Sequence, residues 1–493
     1  MQNLESTKAL FDRWERVWNN GELDLVPSCV AEKYIRHEDA GERIVSPQEY
    51  ASEIERLRSD RPNMRIVAYD HAFDGERAWY RVDFKWTDKD SGEERSRASL
   101  QVWRIEHGKL AEAWVANHPV GTTWGDAAAL ERWTAEKGQA ATRQLFSTFQ
   151  LGQLQLRNRV VMAPMTRSRA IGNVPNDLVA EYYTARADSG LIITEGTSPS
   201  PDGLGQPRIP GLFNREQVTA WRKVTDRVHE KGGRIFVQLM HTGRVAHPAN
   251  MPEGSKIVAP SPVAIEGNIY TDTEGHKPYP VPSQMSTLEI EHAIEEFVQA
   301  ARYAVEAGFD GVEINAANGY LIEQFLHPSA NRRSDEWGGE GRDRFALEIA
   351  KRTASAIGGD RVGIRISPHG AINDTGPFPG VDAFYLEFAA KLSELELVYI
   401  HLVDHSSMGA PQVPADLKAQ IRERFRGAFL LSGGYDASRA EADLADGKGD
   451  LVVFGRPYLN NPDLVEKLKV GAPLRDADPH TFYTPGPEGY TEL

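Results

Sequence analysis

Short apolar runs recur through residues 145–493, and they constrain the fold of this 493-residue chain more than any other feature. Segments with helical periodicity, such as 289–307 and 382–393, lie between them. Parallel strands that are covered by helices appear in a sequence as continuous apolar runs. Eight such units predict a (β/α)₈ barrel, a TIM barrel of the α/β class, with strands at 159–163, 190–194, 234–239, 311–314, 362–366, 397–402, 429–432 and 451–454.

Residues 1–125 follow a different pattern. Leu10, Phe11, Trp14, Val17 and Trp18 have helical spacing, and Asn20-Gly21 then ends the helix. Residues 78–87 alternate with period two, and the segments 99–105 and 110–116 flank a turn at 107–108, which predicts a hairpin. We therefore predict a small, cone-shaped α+β domain at 1–125, a helical linker at 126–144 and the barrel at 145–493.

The composition limits the class of protein. A single cysteine, Cys29, excludes an intrachain disulfide and fits a reducing compartment. The net charge of −15 argues against nucleic-acid or anionic-membrane partners, and no run is long enough for a membrane helix. The chain also starts without the basic and apolar pattern of a secretory signal, so we expect a cytoplasmic protein. An anionic ligand must then be held by local arginines and backbone amides; no metal site is predicted.

Polar and glycine-rich segments follow most of the predicted barrel strands. Barrel enzymes carry their chemistry at the carboxyl ends of the strands, so this placement indicates an active site. Gly433-Gly434 and Gly455-Arg456 follow the last two strands. Backbone amides and a guanidinium at adjacent strand ends predict a phosphate site.

Six motifs in the same region resemble the old yellow enzyme family. They are LRNRVVMAPMTR at 156–167, HTGR at 241–244, GVEI…NGYLIEQFL at 311–326, NRRSDEWGG at 331–339, FGRP at 454–457 and NPDL at 461–464. As a set, in this order, they are specific to the family. The resemblance implies an FMN-dependent ene-reductase, which takes hydride from NADPH or NADH and reduces an electron-poor alkene, an α,β-unsaturated carbonyl compound or a nitroalkene.

The resemblance also assigns roles to individual residues. Ala163, Pro164, Met165 and Gly196 would lie against the flavin ring. Further cofactor contacts would come from Thr166, Gln238, Arg365, Gly433, Gly434, Gly455 and Arg456. Met240 and Tyr483 would line the substrate pocket; Met240 stands where the family often has tryptophan.

The catalytic positions implied by the resemblance are Tyr320, as the proton donor, and Asn315 and Asn318, as donors to the activating oxygen of the substrate. Family members usually have His-Asn or His-His at the latter pair, so the double asparagine is a departure. An amide can still donate. Asn315 can also be read as a strand-end cap without a catalytic role. A redox-neutral isomerase or a dehydrogenase remains an alternative to net reduction.

The N-terminal region resembles SnoaL-like polyketide-cyclase domains through WNNG at 18–21, Tyr34, and GKL…EAW at 108–114. The acid/base candidates for a pocket there are His37, Asp39 and His118. Two alternatives stay open. The domain is either a second active site, a cyclase or isomerase, or a binding or oligomerisation module without chemistry, because this fold serves both purposes. A homo-oligomer, with a dimer favoured, is expected.

Overall fold

The computed structural model describes residues 4–38, 41–74, 76–89, 91–124, 129–130, 132–134 and 144–493. The chain divides into two compact units, Met1–Thr142 and Arg143–Leu493. None of the described helices has the length and the apolar character that crossing a membrane requires.

The N-terminal unit is an α+β domain with one curved sheet. Its helices are α1 (Leu4–Asn20), α2 (Val26–Cys29) and α3 (Pro47–Asp60). Its strands are β1 (Val30–Glu38), β2 (Gly41–Val45), β3 (Arg65–Asp74), β4 (Arg77–Thr87), β5 (Glu94–Glu106) and β6 (Lys109–Asn117). The sheet order is β2-β1-β6-β5-β4-β3, with β1 and β6 parallel and the other pairs antiparallel.

Local sequence explains the main elements of this unit. The apolar stripe of α1 is buried in the domain core, and Gly21, with a φ of 75°, follows the helix. Ser46 and Glu49 form a capping box at the start of α3. His107 and Gly108 both have positive φ, 49° and 75°, as the tight turn between β5 and β6 requires.

Most of the predicted linker at 126–144 lies outside the described residues. Leu130 and Trp133, which belong to the described part, are not helical. Both pack with the hydrophobic core of the N-terminal unit, and the Trp133 indole N–H donates to the Ile66 carbonyl at 3.1 Å.

The second unit contains the predicted barrel of eight parallel strands. In chain order they are β7 (Val160–Met162), β8 (Leu191–Thr197), β9 (Ile235–Leu239), β10 (Gly311–Ala316), β11 (Val362–Ile366), β12 (Tyr399–Val403), β13 (Ala428–Ser432) and β14 (Leu451–Phe454). Each pairs with the next, and β14 pairs with β7 to close the barrel. The predicted fold class is confirmed.

Helices cover the barrel and short strands complete the unit. The helices are α4 (Asp177–Thr184), α5 (Arg215–Glu230), α6 (Thr287–Glu306), α7 (Leu321–Leu326), α8 (Arg344–Ile357), α9 (Val381–Ser393), α10 (Ala415–Arg424), α11 (Ala437–Ala445), α12 (Arg456–Leu459) and α13 (Leu464–Val470). A hairpin of Phe149–Leu151 and Leu154–Leu156 packs with residues that begin barrel strands, such as Leu191 and Leu451. A second hairpin, Asn268–Thr271 with Gly275–Pro278, lies in the long connection after β9.

Candidate active site

A cavity of about 1290 Å³ opens where the carboxyl ends of the barrel strands meet. Every barrel residue that the sequence predicted for the site lines this cavity: Ala163, Pro164, Met165, Thr166, Gly196, Gln238, Met240, Asn315, Asn318, Tyr320, Arg365, Gly433, Gly434, Gly455, Arg456 and Tyr483. These residues come from seven different strand ends and from the C-terminal segment. Their roles in the reaction remain predictions.

The turn after β10 carries the predicted catalytic residues. Asn318 and Gly319 have φ values of 61° and 73°, a left-handed pair that reverses the chain. Glu323 fixes the backbone of this turn. Its carboxylate accepts hydrogen bonds from the Gly319 N–H and from the Ser367 hydroxyl at 2.7 Å. The Asn318 N–H in turn donates to the Ser367 hydroxyl oxygen at 3.0 Å. The turn is therefore fixed before any ligand binds.

Asn315 has defined partners within the barrel. Its side-chain amide donates to Gln238 Oε1 at 3.0 Å, and its Oδ1 accepts from the Ala317 N–H at 3.0 Å. Gln238 Nε2 donates to Glu313 Oε1 at 2.7 Å. Asn315 thus caps its own turn and also orients Gln238, while the Asn318 Oδ1 is buried without a hydrogen-bond partner among the described residues.

Tyr320 lies at the start of α7 and faces the cavity. Its hydroxyl oxygen accepts a hydrogen bond of 3.2 Å from the Gln206 amide, and its ring packs with Met240, Leu204 and Ile209. Burial raises the pKa of Tyr320 to about 12. The phenol therefore keeps its proton at neutral pH and can act as an acid.

Arg365 is a buried cation in the floor of the cavity. It lies beside Asn315 in the pairing of β10 with β11, and its Nε has no hydrogen-bond partner among the described residues. Burial lowers the pKa of the guanidinium, while the charge of Glu313 raises it. A buried donor without a partner indicates a site for an acceptor that a ligand supplies.

The glycines after β13 have no side chains, so a ligand can approach their backbone closely. Gly433 and Gly434 have φ values of 133° and 62°. A Cβ added at Gly433 would lie 2.4 Å from the Asp404 carbonyl oxygen, and one at Gly434 would lie 2.8 Å from the Ser407 Cβ. Arg456, at the start of α12, lines the same part of the cavity and is exposed. Backbone amides next to an exposed guanidinium suit a phosphate group.

Buried arginines hold the C-terminal segment at the cavity. The Arg167 guanidinium donates to the carbonyl oxygens of Phe482 at 3.1 Å and Gly489 at 2.7 Å. The Tyr490 ring stacks on Tyr182 with centroids 4.1 Å apart. Tyr483 lines the cavity and is 61% exposed, so it lies at the mouth and not in the interior.

The comparisons with known proteins agree with this geometry. Residues 144–475 match the model of the NADH:flavin oxidoreductase / NADH oxidase family. The chain belongs to this family, that of the old yellow enzymes. It is an FMN-dependent oxidoreductase, an ene-reductase that uses a reduced nicotinamide. Residues 11–113 match a SnoaL-like domain.

Several curated and solved relatives of this old yellow enzyme cover its barrel. It is 40% identical to 12-oxophytodienoate reductase 7 of Oryza sativa subsp. japonica, over 71% of this chain and 93% of the relative. It is 42% identical to a probable flavin mononucleotide-dependent alkene reductase of Leishmania infantum, over 69% of this chain and 94% of the relative. The solved structure of morphinone reductase superimposes with a TM-score of 0.69 and 42% identity, over 71% of this chain and 95% of that chain.

The residues of this cavity fit FMN. Arg365 offers an unpaired buried donor, the two glycines and Arg456 form a cradle for a phosphate, and Gly196 adds no side chain to the cavity wall. A Cβ at Gly196 would lie 2.4 Å from the Met240 sulfur. The volume and the donor set together match a planar ring with an anionic tail.

Many other lining residues were not predicted, among them the following three groups. Gln206 and Arg208 lie in the connection after β8, and Tyr270 and His276 lie on the hairpin after β9; no motif indicates them. His405 follows β12 almost directly, so strand-end position could have indicated it. Burial, followed by the charge of Arg365, lowers the pKa of His405 to about 4, so this imidazole is neutral.

Of the residues predicted for a second site, the two that the structure describes, His37 and His118, do not line the cavity of the N-terminal domain. His37 does not line the cavity of that domain: its Nε2 lies 2.8 Å from the Glu112 carboxylate, and its ring stacks on Trp114. Side chains alternate along β1, so Arg36 and Glu38 face the cavity and His37 faces the other side of the sheet. His118 is exposed and also lies outside the cavity lining. Asp39 lies outside the described residues.

Three apolar side chains are partly exposed on the sheet face of the N-terminal domain that lies opposite its cavity. Trp79, Leu100 and Trp114 are 37%, 38% and 37% exposed, and Trp79 and Trp114 both pair with Val102 of β5. The dimer itself stays a prediction.

Proposed function

We propose that this old yellow enzyme reduces the C=C bond of α,β-unsaturated carbonyl compounds or nitroalkenes with hydride from NADPH or NADH. The observation that carries the proposal is the convergence of a donor pair, a phenol and a buried cation in one cavity. Asn318, Tyr320 and Arg365 all line it. Relatives that are named reductases of 12-oxophytodienoate and of alkenes support the substrate class.

FMN bound in this cavity would supply the redox chemistry, because its N5 accepts hydride from a reduced nicotinamide and passes hydride to the β-carbon of the alkene. Ala163, Pro164, Met165 and Gly196 would contact the flavin ring. The polar edge of the ring would be bound by Thr166, Gln238 and Arg365, and the phosphate by Gly433, Gly434, Gly455 and Arg456. A fixed cation at Arg365 stabilises negative charge on that edge.

The substrate oxygen would be held by the asparagine pair. Asn318 lines the cavity, and its side-chain amide nitrogen can donate to that oxygen. Asn315 already gives one amide hydrogen to Gln238 and has one left to donate. Both donors would stabilise charge that develops on the carbonyl or nitro oxygen during hydride transfer.

Tyr320 would complete the reaction by giving its hydroxyl proton to the α-carbon of the substrate. Its oxygen accepts a hydrogen bond from Gln206, which leaves the hydroxyl hydrogen free to point at the substrate. The same hydrogen bond stabilises the phenolate that forms when the proton leaves.

An anaerobic titration tests this function. The yellow protein is reduced with NADPH, and candidate enones and nitroalkenes are then added while the flavin absorption band is followed. One equivalent of alkene consumed per NADPH, with full return of the band, is the expected result. Migration of the double bond without NADPH consumption would identify a redox-neutral isomerase instead, and protein that stays colourless after incubation with FMN would overturn the proposal.

A further inference from the structure

A buried carboxylate lies directly behind the lining of the barrel cavity. Glu313, in the middle of β10, is fully buried and does not itself line the cavity. Its Oε1 accepts from Gln238 Nε2 at 2.7 Å, and its Oε2 accepts from the Tyr399 hydroxyl at 3.1 Å and from His401 Nδ1 at 2.8 Å. Burial raises the pKa of Glu313, but the charges and hydrogen bonds of its neighbours outweigh burial. The pKa therefore lies below its ordinary value, and the carboxylate is ionised.

Glu313 fixes the orientation of the Gln238 amide, which does line the cavity. An ionised carboxylate only accepts hydrogen bonds, so the nitrogen of Gln238, and not its oxygen, must face Glu313. On the other side of the amide, Gln238 Oε1 accepts from Asn315 at 3.0 Å, and the Asn315 oxygen accepts from the Ala317 N–H. One N–H and one lone pair of Gln238 remain for a ligand. The pyrimidine edge of a flavin presents a carbonyl oxygen and an N–H that match them.

Glu313 also balances the charge of Arg365. Arg365 is 7% exposed and lines the cavity, and no carboxylate forms a direct ion pair with it in the part of the chain that the structure describes. The two groups lie on the neighbouring strands β10 and β11. Burial lowers the pKa of Arg365, and the charge of Glu313 raises it. Because little water screens charges in a buried site, Glu313 reduces the positive potential that Arg365 produces in the cavity.

We propose that Glu313 is a positioning residue that sets the reduction potential of the flavin, because it orients Gln238 and partly neutralises Arg365. The inference rests on the proposed placement of the polar edge of FMN at these two residues. Reduction adds negative charge to that edge, and a cation without compensation would stabilise the reduced form. By weakening the effect of Arg365, Glu313 lowers the potential and makes the reduced flavin a stronger hydride donor to the alkene.

The test compares the full-length, FMN-loaded protein with E313Q, which removes the charge and keeps an acceptor for Gln238. Anaerobic redox titration against a dye of known potential gives the midpoint potential, and quenching of flavin fluorescence gives the affinity for FMN. The matched control is D343N, because Asp343 is another buried carboxylate and pairs with Lys391 at 2.8 Å outside the cavity lining. R365Q removes the cation itself, and E313D keeps the negative charge but shortens the reach to Gln238. Thermal melts report whether each variant is folded.

We expect the potential of E313Q to rise by about 30 mV, which corresponds to about a tenfold shift toward the reduced form for a two-electron couple. R365Q should lower the potential, and D343N should leave it at the wild-type value. E313D should keep the potential, because the charge remains. It should bind FMN about tenfold more weakly, because Gln238 loses its charged acceptor.

An unchanged potential in E313Q overturns the inference when R365Q shifts the potential or loses FMN, because the flavin edge then lies at Arg365 without sensing Glu313. If R365Q also leaves the potential and the FMN affinity unchanged, the proposed placement of the flavin edge is wrong and the inference falls with it. A shift in D343N as large as that in E313Q would also overturn it. If E313Q does not fold, E313D decides, since wild-type FMN affinity in that variant would contradict the positioning role.

Discussion

The Gln206 amide donates a hydrogen bond of 3.2 Å to the hydroxyl oxygen of Tyr320, from a loop that is 114 residues away in sequence. The bond gives the phenol one orientation in the cavity. It also leaves the hydroxyl hydrogen unused by the protein, which is the arrangement that an acid needs.

Replacement of Tyr320 by phenylalanine tests the proton-donor role. Tyr320→Phe removes the hydroxyl and keeps the ring that packs with Met240. We expect reoxidation of the reduced flavin by an enone to slow by about 10²-fold or more, while reduction by NADPH stays within about twofold. Stopped-flow measurement of the two half-reactions separates these effects. Equal losses in both would contradict the role.

Gln206 should act through Tyr320 and not on its own. Gln206→Leu is expected to slow the alkene half-reaction by about tenfold, because a hydrogen bond to a developing phenolate is worth about 1.5–3 kcal/mol. In the Tyr320→Phe background the same change should have almost no further effect. Additive losses in the double variant would show that Gln206 has a separate role.

The two asparagines should differ in what their loss affects. Asn318→Ala removes a donor to the substrate, so we expect the alkene half-reaction to slow by about 10²-fold with FMN retained. Asn315→Ala also releases Gln238, so FMN should bind more weakly and both half-reactions should change. FMN affinity and the half-reaction rates of each variant are the measurements. Equal FMN affinities and equal half-reaction rates in the two variants would contradict this difference between the asparagines.

The glycine pair after β13 should matter for FMN more than for folding. Gly434→Ala places a Cβ at a φ of 62°, 2.8 Å from Ser407, and we expect about tenfold weaker FMN binding. Gly447→Ala is the control, because its φ is 69° and nothing lies within 4 Å of the added Cβ. An alanine at position 447 has the same unfavourable left-handed backbone, which costs about 1 kcal/mol, but it does not line the cavity. Equal FMN affinity in the two variants would argue against the phosphate cradle.

His229 should make the barrel less stable as the pH rises. A hydrogen bond of 2.9 Å to Asp310 raises the pKa of His229 above its ordinary value of 6.5. The folded state therefore binds the proton more tightly, and the stabilisation is complete below pH 6.5 and is lost as the pH passes the raised pKa. The effect should be below about 1 kcal/mol.

Thermal melts at pH 6 and pH 8.5, read from the release of flavin fluorescence, measure this dependence. His229→Gln should flatten it, and His292→Gln, an exposed histidine on α6, should leave it unchanged. A wild-type slope in His229→Gln would assign the dependence to another group.

The barrel was predictable because parallel strands that are buried on both faces appear in the sequence as short, continuous apolar runs. The predicted segments 362–366 and 451–454 coincide with β11 and β14, since strands that helices cover are mostly apolar along their length. Placement at strand ends then indicated the cavity residues, because the carboxyl ends of all eight strands meet at one edge of a barrel.

Side-chain pairing was decided only by the tertiary structure. The sequence placed Asn315 at the rim of the barrel cavity. Its hydrogen bond to Gln238 depends on the register of the neighbouring strands β9 and β10. His37 and Arg36 are adjacent in sequence, yet only Arg36 faces the N-terminal cavity, because successive side chains point to opposite faces of a strand. Gln206 meets Tyr320 because two connections converge over the barrel, a contact that no spacing along the chain encodes. Composition and periodicity thus determined the architecture and the location of the chemistry, and long-range packing determined which polar groups touch.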